Sequence, residues 1–261
     1  MTDDGSDDGD PVFETGAVFD PETYLYFYAD RIAPERSERE AAFVAEALDL
    51  SAGDRVLDVP CGHGRLANPL ADRGCSVVGV DLTRGFLDRA LADAREQGVA
   101  DSVAYCRGDM RALPVRTGGF DAAFNAFTSF GYFDDAGNRR TLAELARALR
   151  PGGRVLVDVP NLPAVLGEFE AVTAVERDGD HLVDRHEYDP RTGRMRTDRL
   201  TVRDGGTREA TFSVRQYTYP ELVELFEDAG FEVVADYGSL EGEDYSVDAG
   251  RTVLVGELRG N

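Results

Sequence analysis

The chain has 261 residues, enough for one large domain or a domain with an insertion, and enough to bury a core. Its 50 acidic residues outweigh 28 basic ones for a net charge of −22, and every basic residue is Arg. That balance disfavours a nucleic-acid backbone as partner, and no apolar run approaches the roughly 20 residues of a spanning helix, so no membrane role is expected.

Residues 1–16 hold six acids and little apolar content, the pattern of a disordered tail. Two helices are expected over 20–48. The first carries Tyr24, Tyr26, Phe27 and Tyr28, with Tyr24 and Tyr28 four apart on one face, and the second runs from Ser37 to Leu48. Arg55 to Val59 then alternates around Val56, Leu57 and Val59 as a short buried strand, and Arg65–Arg73 reads as a helix. Between them lies Cys61-Gly62-His63-Gly64. Glycines there let the backbone pass close to a ligand, and a helix start offers it unpaired N–H groups. A second strand ends on Asp81, whose carboxylate can accept hydrogen bonds from both hydroxyls of a ribose. The combination reads as a nucleoside-cofactor half-site of a doubly wound α/β sheet.

Gly62-x-Gly64-x-x-Ala67 also satisfies the dinucleotide fingerprint, in which the loop cradles a pyrophosphate. Asp58 ends the first strand four residues before Gly62. A carboxylate repels a pyrophosphate but favours a cationic group. The segment resembles the first motif of class I S-adenosylmethionine (SAM)-dependent methyltransferases, (D/E)-x-x-x-G-x-G. Further motifs follow in order. Gly108-Asp109-Met110-Arg111-Ala112-Leu113-Pro114, after a strand at 103–107, resembles the family's GDxxxLP. Phe120–Asn125 resembles its fourth strand. Leu149-Arg150-Pro151-Gly152-Gly153 resembles the LxPGG turn into the fifth, closing a helix at 139–149. The resemblance covers 54–158 closely, and the flanks more loosely.

The resemblance implies a Rossmann-like seven-stranded sheet and SAM as cofactor. Asp58, Pro60, Gly62 and Gly64 would form its loop, Asp81 and Leu82 its ribose site. Asp109 and Met110 would meet the adenine, and Asn125 would touch the cofactor. An N-terminal segment over 17–50 would fold across it, bringing Tyr28, and Arg36 toward the cofactor's carboxylate. Phe127, Thr128 and Tyr132, after the fourth strand, would line the acceptor site. That segment lacks the Asn/Asp-Pro-Pro-Tyr/Phe pattern of enzymes that methylate base or amide nitrogens. Methyl transfer from a sulfonium needs alignment and desolvation more than a general base, worth up to roughly 7–11 kcal/mol. If a base acts, His63, Tyr132, Tyr217 and Tyr245 are the candidates, with only His63 titrating near neutrality by residue type.

Past the fifth strand, residues 172–217 alternate in β fashion, with turns at 189–193 and 204–206. This predicts an antiparallel insertion of three or four strands over 169–217. It would be a lid over the acceptor pocket or, alternatively, a dimerisation sheet. A helix at 220–230 and a final strand pair complete a cofactor domain made of 51–168 and 218–261. The histidines His63, His181 and His186 have no metal-ligand spacing, and no metal is expected. Three cysteines within the β/α core (Cys61, Cys75 and Cys106) and a first Arg at 31 point to a cytoplasmic protein, a monomer or homodimer.

The expected function is therefore methyl transfer from SAM to a small-molecule acceptor. The alternatives are a nicotinamide-dependent oxidoreductase, disfavoured by Asp58 and by the lack of any Lys for a Tyr-x-x-x-Lys pair, and a nucleotide-binding regulatory protein without turnover. Acid excess without Lys resembles proteins of extreme halophiles. A GC-rich genome gives part of the same bias, but rarely such self-repulsion.

Overall fold

A computed structural model describes residues 18–260; the acidic tail expected over 1–16 lies outside them. Two short N-terminal helices, α1 (Pro21–Phe27) and α2 (Pro34–Ala47), lead into β1 (Arg55–Asp58), α3 (Ala67–Asp72), β2 (Ser76–Asp81) and α4 (Arg84–Glu96). β3 (Val103–Arg107), β4 (Phe120–Asn125), α5 (Asp135–Ala148), β5 (Leu149–Pro160) and α6 (Leu162–Gly167) follow. Four strands come next: β6 (Val172–Arg177), β7 (Asp180–Asp189), β8 (Arg194–Arg203) and β9 (Gly206–Arg215). The chain closes with α7 (Tyr219–Asp228), β10 (Phe231–Tyr237) and β11 (Arg251–Leu258).

The main sheet has seven strands in the order β10-β11-β5-β4-β1-β2-β3. β1 to β5 are parallel, and β11 runs antiparallel between β5 and β10. Helices cover both faces, so each central strand is buried on both and reads as a near-continuous apolar run. Successive residues serve opposite layers. Val56 and Leu156 pack with Val44 and Leu70 on one face, while Leu57 and Val157 pack with Leu142 and Phe226 on the other.

Three element boundaries differ from the sequence reading. α5 starts at Asp135, not 139, because Asp134 caps it by accepting from the Gly137 amide at 2.6 Å. α3 starts only at Ala67, two residues after Arg65. The Pro151-Gly152-Gly153 turn is an excursion within β5: Phe120 pairs with Leu149, but Ala122 pairs with Arg154. Gly152 takes the left-handed φ of 73° that this reversal requires.

The second sheet is antiparallel in the order β6-β7-β8-β9. Its alternation sorts residues by face, burying Leu182, Asp184, Thr197, Arg199, Phe212 and Val214 on the side turned to the body. α1 anchors it there. The Tyr26 hydroxyl donates to the Arg177 carbonyl at 2.8 Å, and Arg199 Nη2 donates to the Tyr28 hydroxyl at 2.9 Å.

Candidate active site

At the carboxyl ends of β1 and β2 the chain turns sharply, and backbone groups fix the acids. Asp81, at the end of β2, accepts from the Gly62 amide at 2.9 Å and from the Thr83 amide at 2.7 Å. Burial pushes its carboxyl above the ordinary carboxylate range, and those amides pull it back. Gly62 and Gly64 take φ of 52° and 76°. A Cβ at Gly64 would stand 2.5 Å from the Tyr105 hydroxyl, so the loop tolerates no side chain there. Asp58 is fully enclosed. Burial pushes its carboxyl well up, the Arg65 guanidinium draws it back down, and neighbouring Asp81 adds to the rise.

Arg65 is the residue the sequence reading passed over. It pairs with the buried Glu40 of α2 and lies 4.5 Å above the Phe127 ring. Its buried Nη2 has no hydrogen-bond partner among the described residues. An arginine nitrogen buried without an acceptor is costly, and a ligand anion would satisfy it. Nothing in the local sequence sets Arg65 apart from a surface helix residue; only the approach of α2 encloses it.

These groups open into a cavity of about 500 Å³ between the two sheets. The motif residues Asp58, Pro60, Gly62, Asp81, Leu82 and Met110 line its floor together. Tyr28, stacked on Tyr24 at 4.6 Å, closes one side. Phe127, Thr128 and Tyr132 line it from the segment after β4. Phe127 and Thr128 both hold left-handed φ, 62° and 60°. Asp158 accepts from the Phe127 amide at 2.7 Å. Arg251 donates to Asp158 at 2.7 Å and to the Thr128 hydroxyl at 2.8 Å. The strained loop is thus over-determined by the buried Asp158 and its half-buried partner Arg251, as strain at a site requires.

Other sequence candidates lie apart from the cavity lining. Gly64 sits behind the loop against Tyr105. Asp109 pairs with Arg111 at 2.8 Å. Asn125 is fully buried beneath the lining, its Nδ2 3.9 Å from Met110 Sδ and its Oδ1 without a partner among the described residues. Arg36 does not line the cavity; it pairs with Glu40 at 2.7 Å, so Glu40 engages Arg36 and Arg65 together. Tyr217 accepts from Asn138 at 2.9 Å, and Tyr245 donates to Asn161 at 3.3 Å beside Tyr219. Neither tyrosine reaches the cavity wall.

Among the base candidates, His63 does line the cavity. Burial, with Arg65 adding to it, pushes its imidazole down to about 4, so it is neutral at working pH and a weak proton acceptor. Burial raises the Tyr132 phenol well above its ordinary range, so it stays protonated. The remaining wall comes from the second sheet, where Asp184 and Arg199 form a buried bidentate pair at 2.8 and 2.7 Å. Thr173, His186, Thr197 and Gln216 line the same side. Only the period-two alternation of β7 and β8, D-x-H facing T-x-R, could have pointed to them. Among the described residues no group of His, Cys, Asp and Glu could hold a metal ion, and no helix is long and apolar enough to cross a membrane.

Residues 56–153 match the family model for a methyltransferase domain. The methyltransferase GfsG of Streptomyces halstedii is 37% identical over 124 residues, covering 47% of this chain and 44% of that relative. The chain spans between 44% and 63% of the length of the first curated relatives it matches. The CcbJ methyltransferase of Streptomyces caelestis has the same fold, with a TM-score of 0.77 at 24% identity over 91% of this chain and 98% of its own. The SAM-bound structure of CalS10, an amino pentose methyltransferase of Micromonospora echinaspora, superposes with a TM-score of 0.61 at 27% identity over 89% and 96%. The family-model match thus lies over residues 56–153, and the strand order and superpositions give the chain the fold of known methyltransferases.

Proposed function

We propose that the chain transfers the methyl group of SAM to a small-molecule acceptor by in-line displacement. The observation that carries this reading is the charge pair across the glycine loop, with Asp58 on one side and the unpartnered Nη2 of Arg65 on the other. Opposite charges there suit a zwitterionic amino-acid end: ammonium toward Asp58, carboxylate toward Arg65. They do not suit a pyrophosphate, which Asp58 would repel. Asp81, pinned by two amides, keeps lone pairs for the ribose hydroxyls. Asn125 Oδ1 and Met110 would support the base above them.

SAM, when bound, supplies a methyl group already activated on a sulfonium. The chain's own task is to align and exclude water. The left-handed loop at Phe127 and Thr128, held by Asp158 and Arg251, orients the acceptor side of the cavity. In this reading residues 169–217 act as the lid of a cofactor domain built from 51–168 and 218–261, in a cytoplasmic protein of a salt-rich cell. The likeness to CalS10, an amino pentose methyltransferase, supports a small-molecule acceptor.

Calorimetry with S-adenosylhomocysteine (SAH), 5′-methylthioadenosine and NAD(P) tests the assignment. SAH should bind, and methylthioadenosine, which lacks the amino-acid end, should bind at least tenfold more weakly, because about 1.4 kcal/mol is tenfold and two charge-assisted contacts are lost. Arg65→Met should erase most of that difference. Tight NAD(P) binding without SAH binding would overturn the reading.

A further inference from the structure

Across the inward face of the second sheet runs a row of three side chains from three strands. Thr173 of β6 lies 3.1 Å from His186 Nε2, and His186 Nδ1 lies 3.0 Å from Thr197 Oγ1 on β8. All three line the cavity. We propose that this row is a proton relay that deprotonates a phenolic hydroxyl of the acceptor, making the chain an O-methyltransferase. The inference rests on the methyltransferase reading above.

Hydrogen-bond chemistry supports it. A neutral imidazole donates from one ring nitrogen and accepts at the other. One threonine therefore accepts from the ring, and the other donates its hydroxyl proton to it. The donating threonine keeps lone pairs that can receive the acceptor's O–H. In the step, the acceptor's oxygen gives its proton to that threonine, whose own proton passes to the ring nitrogen. The oxygen forms its bond to the methyl carbon as the carbon–sulfur bond breaks, and the sulfur keeps the electron pair. The products are a methyl ether, a thioether and an imidazolium. The threonines touch the acceptor, and His186 is a positioning residue that holds the proton.

The other ionisable groups on the wall are committed or poor acceptors. Asp184 is locked to Arg199, and His63 is pushed down to about 4 by burial. Asp58 and Asp81 belong to the floor. Of the charged groups near the relay, Asp184 of β7 and Arg199 of β8 share its face and neutralise each other, with Tyr28 of α1 bonded to Arg199. Across the cavity stands Arg251, held by Asp158.

That leaves the cavity-lining face of the second sheet, among the described residues, with no uncommitted carboxylate to receive an ammonium, so a neutral acceptor fits better than an amine. Phe127, Tyr132, Phe133 and Phe212 give the cavity aromatic walls for a planar ring. A phenol, ionising near 10, also leaves far less uphill proton transfer to an imidazole than an aliphatic alcohol. Gln216 supplies a second anchor. It is 5% exposed and lines the cavity, and its Oε1 has no partner among the described residues, so it is set to accept from another donor on the same molecule.

The test uses the SAM-loaded protein with dihydroxynaphthalenes and, as the amine arm, naphthylmethylamines, reading methylated products by mass spectrometry. Dihydroxynaphthalenes should yield methyl ethers, with an acid limb in the pH profile of kcat. His186→Gln keeps a donor and an acceptor for the two threonines but holds no proton. It should lower kcat by about 10²- to 10⁴-fold, abolish the acid limb, and leave KM and SAH affinity unchanged. Added imidazole should restore activity to His186→Gly. Retained SAH binding shows that either variant is folded. A His186→Gln protein with wild-type kcat and pH profile would overturn the relay. Methylation of the amines and not the phenols would overturn the acceptor class. Absence of any ether from a protein that binds SAH would overturn the inference while leaving cofactor binding standing, whereas absence of SAH binding would remove the reading beneath it.

Discussion

On the seven-stranded sheet, backbone holds the site: Asp81 is pinned by the amides of Gly62 and Thr83, and the loop that carries them has φ angles and clearances only glycine meets. On the four-stranded sheet, side chains hold one another: Asp184 grips Arg199, Arg199 reaches Tyr28, and His186 bridges two threonines. The first arrangement leaves a charge imbalance for a ligand to complete, and the second is closed on itself. A cofactor shared across a family can be read by fixed backbone geometry. An acceptor wall made of mutually satisfied side chains changes with a few substitutions and asks nothing of the backbone beyond alternation.

The largest effect that separates the two regions should come from the buried pair. Asp184→Ala leaves Arg199 enclosed without its carboxylate, and breaking such a pair costs about 3–5 kcal/mol. Replacing both, as Asp184→Leu with Arg199→Met, should recover most of that loss. Denaturant melts give the totals, and hydrogen exchange should locate the loosening in β7 and β8 while SAH affinity holds. Equal loss of SAH affinity would mean that the two sheets form one binding unit.

The converse substitution acts on the floor. Asp81→Ala orphans two amides and removes a charged acceptor, so SAH affinity should fall by about 1.5–3 kcal/mol, read by calorimetry. Hydrogen exchange in the four-stranded sheet should not change.

What the sequence revealed follows the same division. The loop of Gly62 and Gly64, Asp81 and the succession of strands and helices along the chain were legible because each depends on local turn chemistry and strand periodicity within some thirty residues. The Asp58–Arg65 pairing was half legible: Asp58 sits in a motif, but Arg65 acquires its burial only when Glu40, 25 residues earlier, folds over it. Arg36, four residues from Glu40, is drawn to the same carboxylate and does not line the cavity. The second sheet appeared as alternation without roles. Polar residues at period two read as a solvated face until a partner layer covers them, so Asp184, Arg199 and His186 looked like surface. Asp158 and Arg251 meet across two strands that are 93 positions apart, a pairing no local pattern carries.

Salt should act on the whole molecule, and so measures what the two regions share. Net charge of −22 repels itself over the Debye length, about 8 Å at 0.15 M and 3 Å at 1 M, so the melting temperature should rise as KCl goes from 0.1 to 1 M. Screening is then nearly complete, and any further rise must come from strengthened apolar burial, which sucrose at low ionic strength should reproduce. A melting temperature flat from 0.1 to 3 M KCl would contradict the salt-adapted reading and leave the enzymatic one untouched.

The smallest effect should be a gain. Burial holds the Asp58 carboxyl well above its ordinary 3.8, so folding penalises the ionised form. Between 3.8 and that raised value the folded chain binds more protons than the unfolded one. By linkage, stability therefore falls as pH rises through the window, and the full penalty remains above it. Asp58→Asn removes the penalty at neutral pH. The cofactor-free protein should melt slightly higher than wild type near pH 8, and the advantage should shrink as pH falls through the window. The same substitution removes the charge that faces a sulfonium and an ammonium, so it should weaken SAM more than SAH, because only SAM carries the sulfonium. A variant that melts higher and binds SAM as well as wild type would show that the buried charge serves neither fold nor ligand, and the contrast between a floor left open for its cofactor and a self-satisfied wall would fail at its most enclosed residue.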